Sequence, residues 1–323
     1  VEAPDSKFIL KLKDRKQECG IELDSALGHM QALSVVTEDI IGHCEDSDCF
    51  LHADFEPIPS VESVIRIINL LKQIIFPGYF SSGKLNPVNL KYIMGESISV
   101  LYELLSEQIS SSIRHDCIRY DQPCQECAEK GQRSALDLLR TIPAIRRQLS
   151  KDVRATFDGD PAARSYDEII FSYPGIQAIT IYRIAHRLFE LGIPILPRTM
   201  SEYAHSTTGI DIHPGAEIGE RFVIDHGTGI VIGETTVIGN NVRIYQGVTL
   251  GAYSLTADAG SRLKGVKRHP TIEDDVIIYA GATILGGKTT IGERSVIGGN
   301  VWLTDSIPPD TRVVMKTPEL IYQ

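Results

Sequence analysis

The sequence predicts an α+β protein in which an all-α region is followed by a parallel β-helix. Three observations carry that prediction. Apolar residues recur at helical spacing up to residue 208. From residue 209 they recur every six residues. Within that second stretch Gly repeatedly follows the recurring aliphatic residue.

The helical half comes first. Val61, Val64, Ile65, Ile68 and Leu71 form one stripe, and Ile98, Leu101, Leu104, Leu105 and Ile109 form another. Residues 132–150 and 175–191 have the same grammar. Pro174 suits a helix start, where its missing N–H costs nothing, and Gly192 marks that helix's end. Segments 52–60 and 76–89 carry Pro, Gly and Ser and read as connections. Residues 1–208 are expected to form a helical domain of roughly six to eight helices that drives assembly.

The six-residue comb follows. Its series are Ile218–Ile224, then Ile232, Ile238, Ile244 and Leu250, then Ile272, Ile278 and Ile284, then Ile291, Ile297 and Leu303. Gly follows at Ile218, Ile232, Ile238, Leu250, Ile291 and Ile297. Each coil of a β-helix is a triangle whose three flat sides point one aliphatic side chain inward. No coil buries its own aliphatic residues, so coils must stack. Two-residue alternation, the mark of ordinary strands, does not produce such a comb. The expected catalytic domain is 209–316, with 317–323 as a tail.

Two places break the comb. Residues 251–270 have no inward rhythm and read as a loop leaving the prism. The loop carries Arg262, Lys264, Lys267 and Arg268 with no acid between 262 and 268. It reads either as a solvated basic loop or as an arm closing over an anionic ligand. Ile224 and Ile232 are eight residues apart, which marks a distorted corner. That corner lies in VIDHGTGIVIGE at 223–234, where Asp225, His226 and Glu234 fall among Gly and aliphatic residues. A distorted coil with His and carboxylates is a place for proton transfer. Asp211 and His213 open the first coil in GIDIHPGAEIG, and His269 closes the loop after Arg268. Asp158 and Asp160 in DGDPAA at 158–163 read by themselves as a helix cap.

Composition narrows the classes. The 323 residues are 42% hydrophobic and 23% charged, which excludes a disordered chain, a collagen and a small disulfide scaffold. The net charge of −10 argues against a nucleic-acid partner. Uncharged apolar runs such as IINLL at 67–71 fall far short of a membrane span. Charges recur through the first 24 residues, so no signal peptide is read and a cytoplasmic protein is expected. The opening Val1 suggests a processed or shortened chain. The six cysteines are Cys19, Cys44, Cys49, Cys117, Cys124 and Cys127, read as reduced thiols. His115, Cys117, Cys124 and Cys127 are spaced H-x-C-x6-C-x2-C and could ligate zinc; ordinary cysteines are the preferred reading.

Taken together, residues 158–308 resemble the serine O-acetyltransferases. The resemblance rests on GDPAA at 159–163, AITIYRIAHRLFELG at 178–192 and GIDIHPGAEIG at 209–219. It continues through IDHGTGIVIGET at 224–235, VRIYQGVTLGA at 242–252, KRHPTIEDDVIIYAGATILG at 267–286 and IGGNVWLTDSIPP at 297–309. It implies that the β-helix is left-handed. It also implies acetyl transfer from acetyl-CoA to the L-serine hydroxyl, giving O-acetylserine for cysteine synthesis.

The resemblance also implies roles. His226 would be the general base, oriented by Asp211. His269 would sit near the same hydroxyl, with Glu234 as its carboxylate partner. Asp160 and Asp225 would hold the serine ammonium, and Arg268 the carboxylate. Acetyl-CoA would lie in a groove between neighbouring prisms, near Gly251, Ala252 and Ala280.

The chemistry is consistent with those roles. A primary hydroxyl must lose its proton as it attacks, and neutral His is a suitable base near pH 7. A zwitterion needs acids at one end and an Arg fork at the other. The thioester supplies the activated acyl group, so neither metal nor redox cofactor is needed. No Cys follows residue 127, which excludes a thiol acyl-enzyme on the β-helix.

A homotrimer or a dimer of trimers is implied, with cysteine as a feedback inhibitor. The loop 251–270 lacks the family's Gly-rich stretch. The tail VVMKTPELIYQ lacks its GxPAR-like motif and terminal Ile, so a complex with O-acetylserine sulfhydrylase is not expected. Three other readings remain open at this point. One is a hexapeptide acetyltransferase acting on another amino or sugar hydroxyl. A second is a γ-type carbonic anhydrase, for which His205, His213, His226 and His269 lack the H-x4-H pair. The third is a non-catalytic repeat protein.

Overall fold

The computed structural model describes residues 28–43, 58–81, 83–121, 123, 125–253, 263 and 265–316. The Cys124 ligand reading, most of the basic loop and the tail 317–323 lie outside the described residues. The chain divides into two compact units, 1–56 and 57–323. In the first, residues 28–43 form helix α1.

Among the described residues the second unit opens with six helices, whose apolar spacing selects what they bury. Helix α2 (Val61–Ile75) starts at Ser60, whose side chain accepts from the Ser63 N–H at 3.3 Å. It buries Val64, Ile67, Ile68, Leu71, Ile74 and Ile75, the spacing of one helical face, whereas Val61 of the expected stripe is 62% exposed. Helices α3 (Leu90–Arg119) and α4 (Cys127–Gly159) face each other through Leu101, Leu105 and Ile109 on one and Leu138, Ile142, Ile145 and Leu149 on the other. Helix α5 (Tyr166–Ser172) is capped by Ser165, which accepts from the Glu168 N–H at 3.1 Å. Helix α6 (Pro174–Glu190) starts on Pro174 and stops before Gly192, as its sequence predicts. It is buried almost all round, because it lies between the other helices and the first coil. Helix α7 (Leu196–Thr208) ends where Gly209 turns left-handed and its N–H meets the His205 carbonyl.

Fourteen short strands follow among the described residues. They are β1 (Ile210–Ile212), β2 (Glu217–Ile218), β3 (Val223–Asp225), β4 (Ile230–Ile232), β5 (Val237–Ile238), β6 (Arg243–Tyr245) and β7 (Thr249–Gly251). After the loop come β8 (Thr271–Ile272), β9 (Ile277–Ile278), β10 (Thr283–Leu285), β11 (Thr290–Ile291), β12 (Val296–Ile297), β13 (Trp302–Leu303) and β14 (Arg312–Val313). They stack as three parallel sheets, the faces of a triangular prism. Face A is β1-β4-β7-β10-β13, face B is β2-β5-β8-β11, and face C is β3-β6-β9-β12-β14. This is the left-handed parallel β-helix expected from the sequence.

The comb becomes three inward columns. Ile212, Ile232, Leu250, Ile284 and Leu303 stack under face A. Ile218, Ile238, Ile272 and Ile291 stack under face B, and Ile224, Ile244, Ile278, Ile297 and Val313 under face C. Between faces B and C each coil turns on a left-handed residue: Arg221, Asn241, Asp275, Arg294 and Asp310. Side chains there bond coil to coil: Arg221 Nε donates to Asn241 Oδ1 at 3.4 Å, Asn241 Nδ2 to Asp275 Oδ1 at 2.5 Å, and Arg294 Nε to Asp310 Oδ1 at 2.7 Å.

One buried ion pair joins the two architectures. Arg183 of α6 forks onto Asp152 of α4, with Nε to Oδ2 at 2.7 Å and Nη2 to Oδ1 at 2.9 Å. Both side chains are shielded from solvent, at 3% and 0% exposure. The same guanidinium donates to the Gly219 carbonyl at 2.8 Å, and Asp152 Oδ1 accepts the Phe222 N–H at 3.0 Å. The first coil is therefore bonded to α4 and α6 through one polar knot inside a continuous apolar core. Arg243 adds a second tie from the solenoid, donating to the Gly159 carbonyl at 2.9 Å at the end of α4. A cation there complements the exposed carbonyls of a helix C-terminus.

Removing one partner of the knot leaves a buried charge unpaired. Arg183→Met should lower unfolding free energy by about 3–5 kcal/mol, and the double variant Asp152→Leu/Arg183→Met should recover most of it. Denaturant midpoints of the two proteins and the parent check this.

Candidate active site

The expected site residues gather at two corners of the prism. The first corner lies between faces C and A. There the chain passes from β3 to β4 through three left-handed residues, His226, Gly227 and Gly229, with φ of 57°, 94° and 79°. This is the distortion that the eight-residue spacing marks. The turn throws the His226 ring outward, its side chain 74% exposed, with Asp225 Oδ1 at 3.8 Å from Nε2. Asp225 itself is 23% exposed.

Asp160 comes to this corner from the end of α4. Its Oδ1 accepts the Ala162 N–H at 2.8 Å, a tight local turn, and its Oδ2 accepts the Tyr173 hydroxyl at 2.6 Å. The Tyr173 hydrogen bond, then the Ala162 N–H, hold the Asp160 carboxyl below the usual carboxylate range. The same hydrogen bond pushes the Tyr173 phenol up to about 12. Asp160 is close enough to feel the charges of Arg243 and His226, and Tyr173 those of Asp160 and Asp225. Gly175 permits this approach: a Cβ there would collide with the Ile224 carbonyl, so only Gly lets α6 begin against β3. Tyr173 was not singled out in the sequence, and nothing in the hexapeptide pattern marks it.

The second corner lies between faces A and B, where the long loop returns. Glu234 is hydrogen-bonded by Arg268, and Arg268 Nη1 also donates to the Leu263 carbonyl at 3.2 Å. Burial alone would raise the Glu234 carboxyl, but the Arg268 guanidinium outweighs it and holds the group below its ordinary value. The resemblance paired Glu234 with His269. In the structure Glu234 takes Arg268 instead, and the Nδ1 of His269 is met by Thr235, whose N–H is at 3.0 Å. Thr235 also fastens the loop's end: its hydroxyl oxygen accepts the Arg268 N–H at 2.9 Å, and its carbonyl accepts Lys267 Nζ at 2.6 Å. Thr235 is a further residue that the sequence did not single out, since its partners lie more than thirty positions away.

His269 is buried, at 7% exposure. Burial first, then the Arg268 cation, push its imidazole down to about 4, so the ring is neutral at pH 7. His213 on the same side is lowered in the same direction, chiefly by burial. Its Nδ1 accepts the Gly215 N–H at 3.0 Å.

Asp211 stands on face A between the corners, paired in register with Val231. Its carboxylate shares a cluster with Glu202 and His205 of α7, whose ligand atoms lie within 4.8 Å of one another. Among the described residues this is the one group of three with metal-ligand geometry, but Glu202 is already engaged by Arg198 at 2.5 Å. Cys117 is half-buried and Cys127 is buried. Gly251 and Ala252 continue the A–B corner, beside Leu285 of the next coil, while Ala280 continues the C–A corner and accepts the Asn300 N–H at 2.9 Å.

Face A separates the two corners within one chain. From Gly229 to Gly233 the strand spans about 13 Å at the usual rise per residue. His226 and His269 therefore do not meet across a small ligand in a single chain. No helix among the described residues is long and apolar enough to cross a membrane.

A prism whose corners carry a His beside carboxylates and an Arg beside a second His defines an acyltransferase of the hexapeptide-repeat type. No family model matches the chain. A curated plasmid-borne serine acetyltransferase of Synechococcus elongatus is 48% identical over 287 residues, covering 86% of this chain and 87% of that protein. The serine acetyltransferase of Bacillus subtilis is 49% identical over 168 residues, 52% of this chain and 73% of its own length. The crystal structure of serine acetyltransferase isoform 3 of Entamoeba histolytica, in complex with cysteine, superposes with a TM-score of 0.68 at 38% identity, covering 88% of this chain and 92% of that one. The chain belongs to the serine acetyltransferase family.

The neutral state of His269 has a pH signature. The unfolded histidine gains its proton near pH 6.5, whereas the folded one resists until about pH 4. Between those values the unfolded state binds more protons, so stability is full above pH 6.5 and falls as pH drops. The loss should reach up to about 3 kcal/mol. His269→Gln should flatten the slope of unfolding free energy over that window, measured by denaturant titration at several pH values.

Proposed function

We propose that this chain transfers the acetyl group of acetyl-CoA to the hydroxyl of L-serine, giving O-acetylserine for cysteine biosynthesis. The observation that carries this reading is family membership over most of the chain. The geometry supports it. One corner offers two carboxylates and an exposed imidazole; the other offers an Arg and a buried neutral imidazole. A serine zwitterion is complementary to that pair of ends.

His226 is the general base in this reading. As serine Oγ bonds to the acyl carbon, His226 takes the hydroxyl proton; as the C–S bond breaks, the proton passes to the departing CoA thiolate. Asp211 orients the imidazole. Asp160 and Asp225 receive the ammonium, with Tyr173 keeping Asp160 charged and fixed. Arg268 leaves Glu234 for the serine carboxylate, or shares itself between them. His269 faces the reacting oxygens. Acetyl-CoA runs along the small-residue corners at Gly251, Ala252 and Ala280.

A homotrimer follows from the same reading. The corner between faces C and A of one chain meets the corner between faces A and B of its neighbour, and each groove holds one serine and one acetyl-CoA. In the same reading two trimers can pair through their helices. Cysteine is serine with a thiol for the hydroxyl, so it competes at the same ends and acts as a feedback inhibitor.

Thiol release from acetyl-CoA with L-serine tests the reaction. Serine-dependent release should fall by about 100-fold or more in His226→Ala. Release without serine, or none from folded protein, would refute the serine assignment; homoserine and galactosides would then be tried as acceptors. Tyr173→Phe removes one hydrogen bond to Asp160. It should raise the serine KM about 2- to 10-fold with little change in kcat, as steady-state kinetics would report.

A further inference from the structure

The ring of His269 is gripped by one nitrogen. Its Nδ1 accepts the Thr235 N–H at 3.0 Å, and the Thr235 hydroxyl oxygen lies 2.9 Å from the same nitrogen. That oxygen already accepts two backbone N–H groups, from Arg268 at 2.9 Å and His269 at 3.1 Å. With its lone pairs taken, the hydroxyl's own proton is directed at Nδ1. Nδ1 thus meets two donors and has no place for a proton. A neutral imidazole carries one N–H, which here belongs on Nε2. The ring is also held in place sterically. It packs on Gly233, where a Cβ would collide with it, and a half-turn would set carbon against both donors.

We propose that Thr235 is a positioning residue that holds His269 as its Nε2–H tautomer, making His269 a hydrogen-bond donor to an oxygen of the reacting groups and not a second base. The identity of that oxygen rests on the acetyl-transfer reading; the tautomer does not. The charged and titratable groups around the ring act in the same sense on balance. Arg268, Lys267 and His213 oppose a second proton, Glu234 favours one, and burial opposes it most. Lys267 and Arg268 also bond Thr235 directly, so the loop's return and the ring's tautomer are set by one residue. The two histidines then divide the work: exposed His226 can receive a proton, while buried His269 can only give a hydrogen bond.

Ring-15N histidine labelling of the full-length protein reads the tautomer, with His269→Gln assigning the signals. The expected result is a bare, pyridine-like Nδ1 at pH 7 and no titration of that ring above pH 5. In Thr235→Val the hydroxyl donor is lost while the backbone N–H remains, so the ring should titrate above its parent value and begin to populate the Nδ1–H tautomer. Serine acetylation in that variant should lose about tenfold in kcat with KM within about twofold, and Thr235→Ser should restore both. A protonated Nδ1 in the parent protein overturns the proposal, whether or not Thr235→Val folds. So does a Thr235→Val protein whose kcat falls while tautomer and titration stay unchanged, since Thr235 would then act only through stability. Protein that shows the Nε2–H tautomer yet acetylates no serine refutes the acetyl-transfer reading and leaves the tautomer assignment standing.

Discussion

The paired charges of Arg183 and Asp152 sit where the helices meet the solenoid, and the placement of the C–A corner depends on them. A β-helix end is an open stack of unpaired strands and apolar side chains, which must be covered. Here α6 and α7 cover it, but apolar packing alone would let helices slide over a flat end. The fork from Arg183 to Asp152, to Gly219 and, through Asp152, to Phe222 fixes α4 and α6 against the first coil. Arg243 then fixes the last turn of α4, and Asp160 follows immediately. A polar knot so deep is costly to desolvate, and its directional geometry is what makes that cost useful.

The triangular cross-section imposes the second constraint. Residues on a flat side alternate inward and outward, and the inward ones must be aliphatic for the coils to stack. Polar groups are pushed to the corners, where left-handed residues turn the chain. The His226 corner has two extra residues and three positive φ values, and it projects an imidazole that a regular coil would lay flat. The A–B corner instead admits the return of a long loop, and with it Arg268 and His269. Each corner is assembled by stacked coils, and face A lies between them. The same geometry that stabilises the prism therefore holds the two groups of polar side chains apart within one chain.

Burial separates the two histidines chemically. His269 lies under the loop's return, with cations beside it and Thr235 on its Nδ1. His226 stands in solvent beside Asp225. One residue type is placed in two environments, and the proposed division into a proton acceptor and a fixed donor rests on that difference.

Much of this was legible in the sequence. The comb at 209–303 determined the solenoid, because a six-residue period of aliphatic residues has one compact solution. The stripes in 61–191 determined the helices, and the Pro174 and Gly192 pair determined one helix's ends. The motifs at GDPAA, DIHP, DHGTG and RHP named seven polar residues that do lie at or between two corners. The sequence did not determine their partners. The resemblance implies Glu234 as the partner of His269, but it bonds Arg268, and no local pattern marks Thr235 or Tyr173. Partners across a solenoid come from coils a full turn or a loop apart, and partners across its end come from helices dozens of residues earlier. Local patterns encode the period and the turn; which side chains touch is decided only when the coils stack, because that step sets distance and burial.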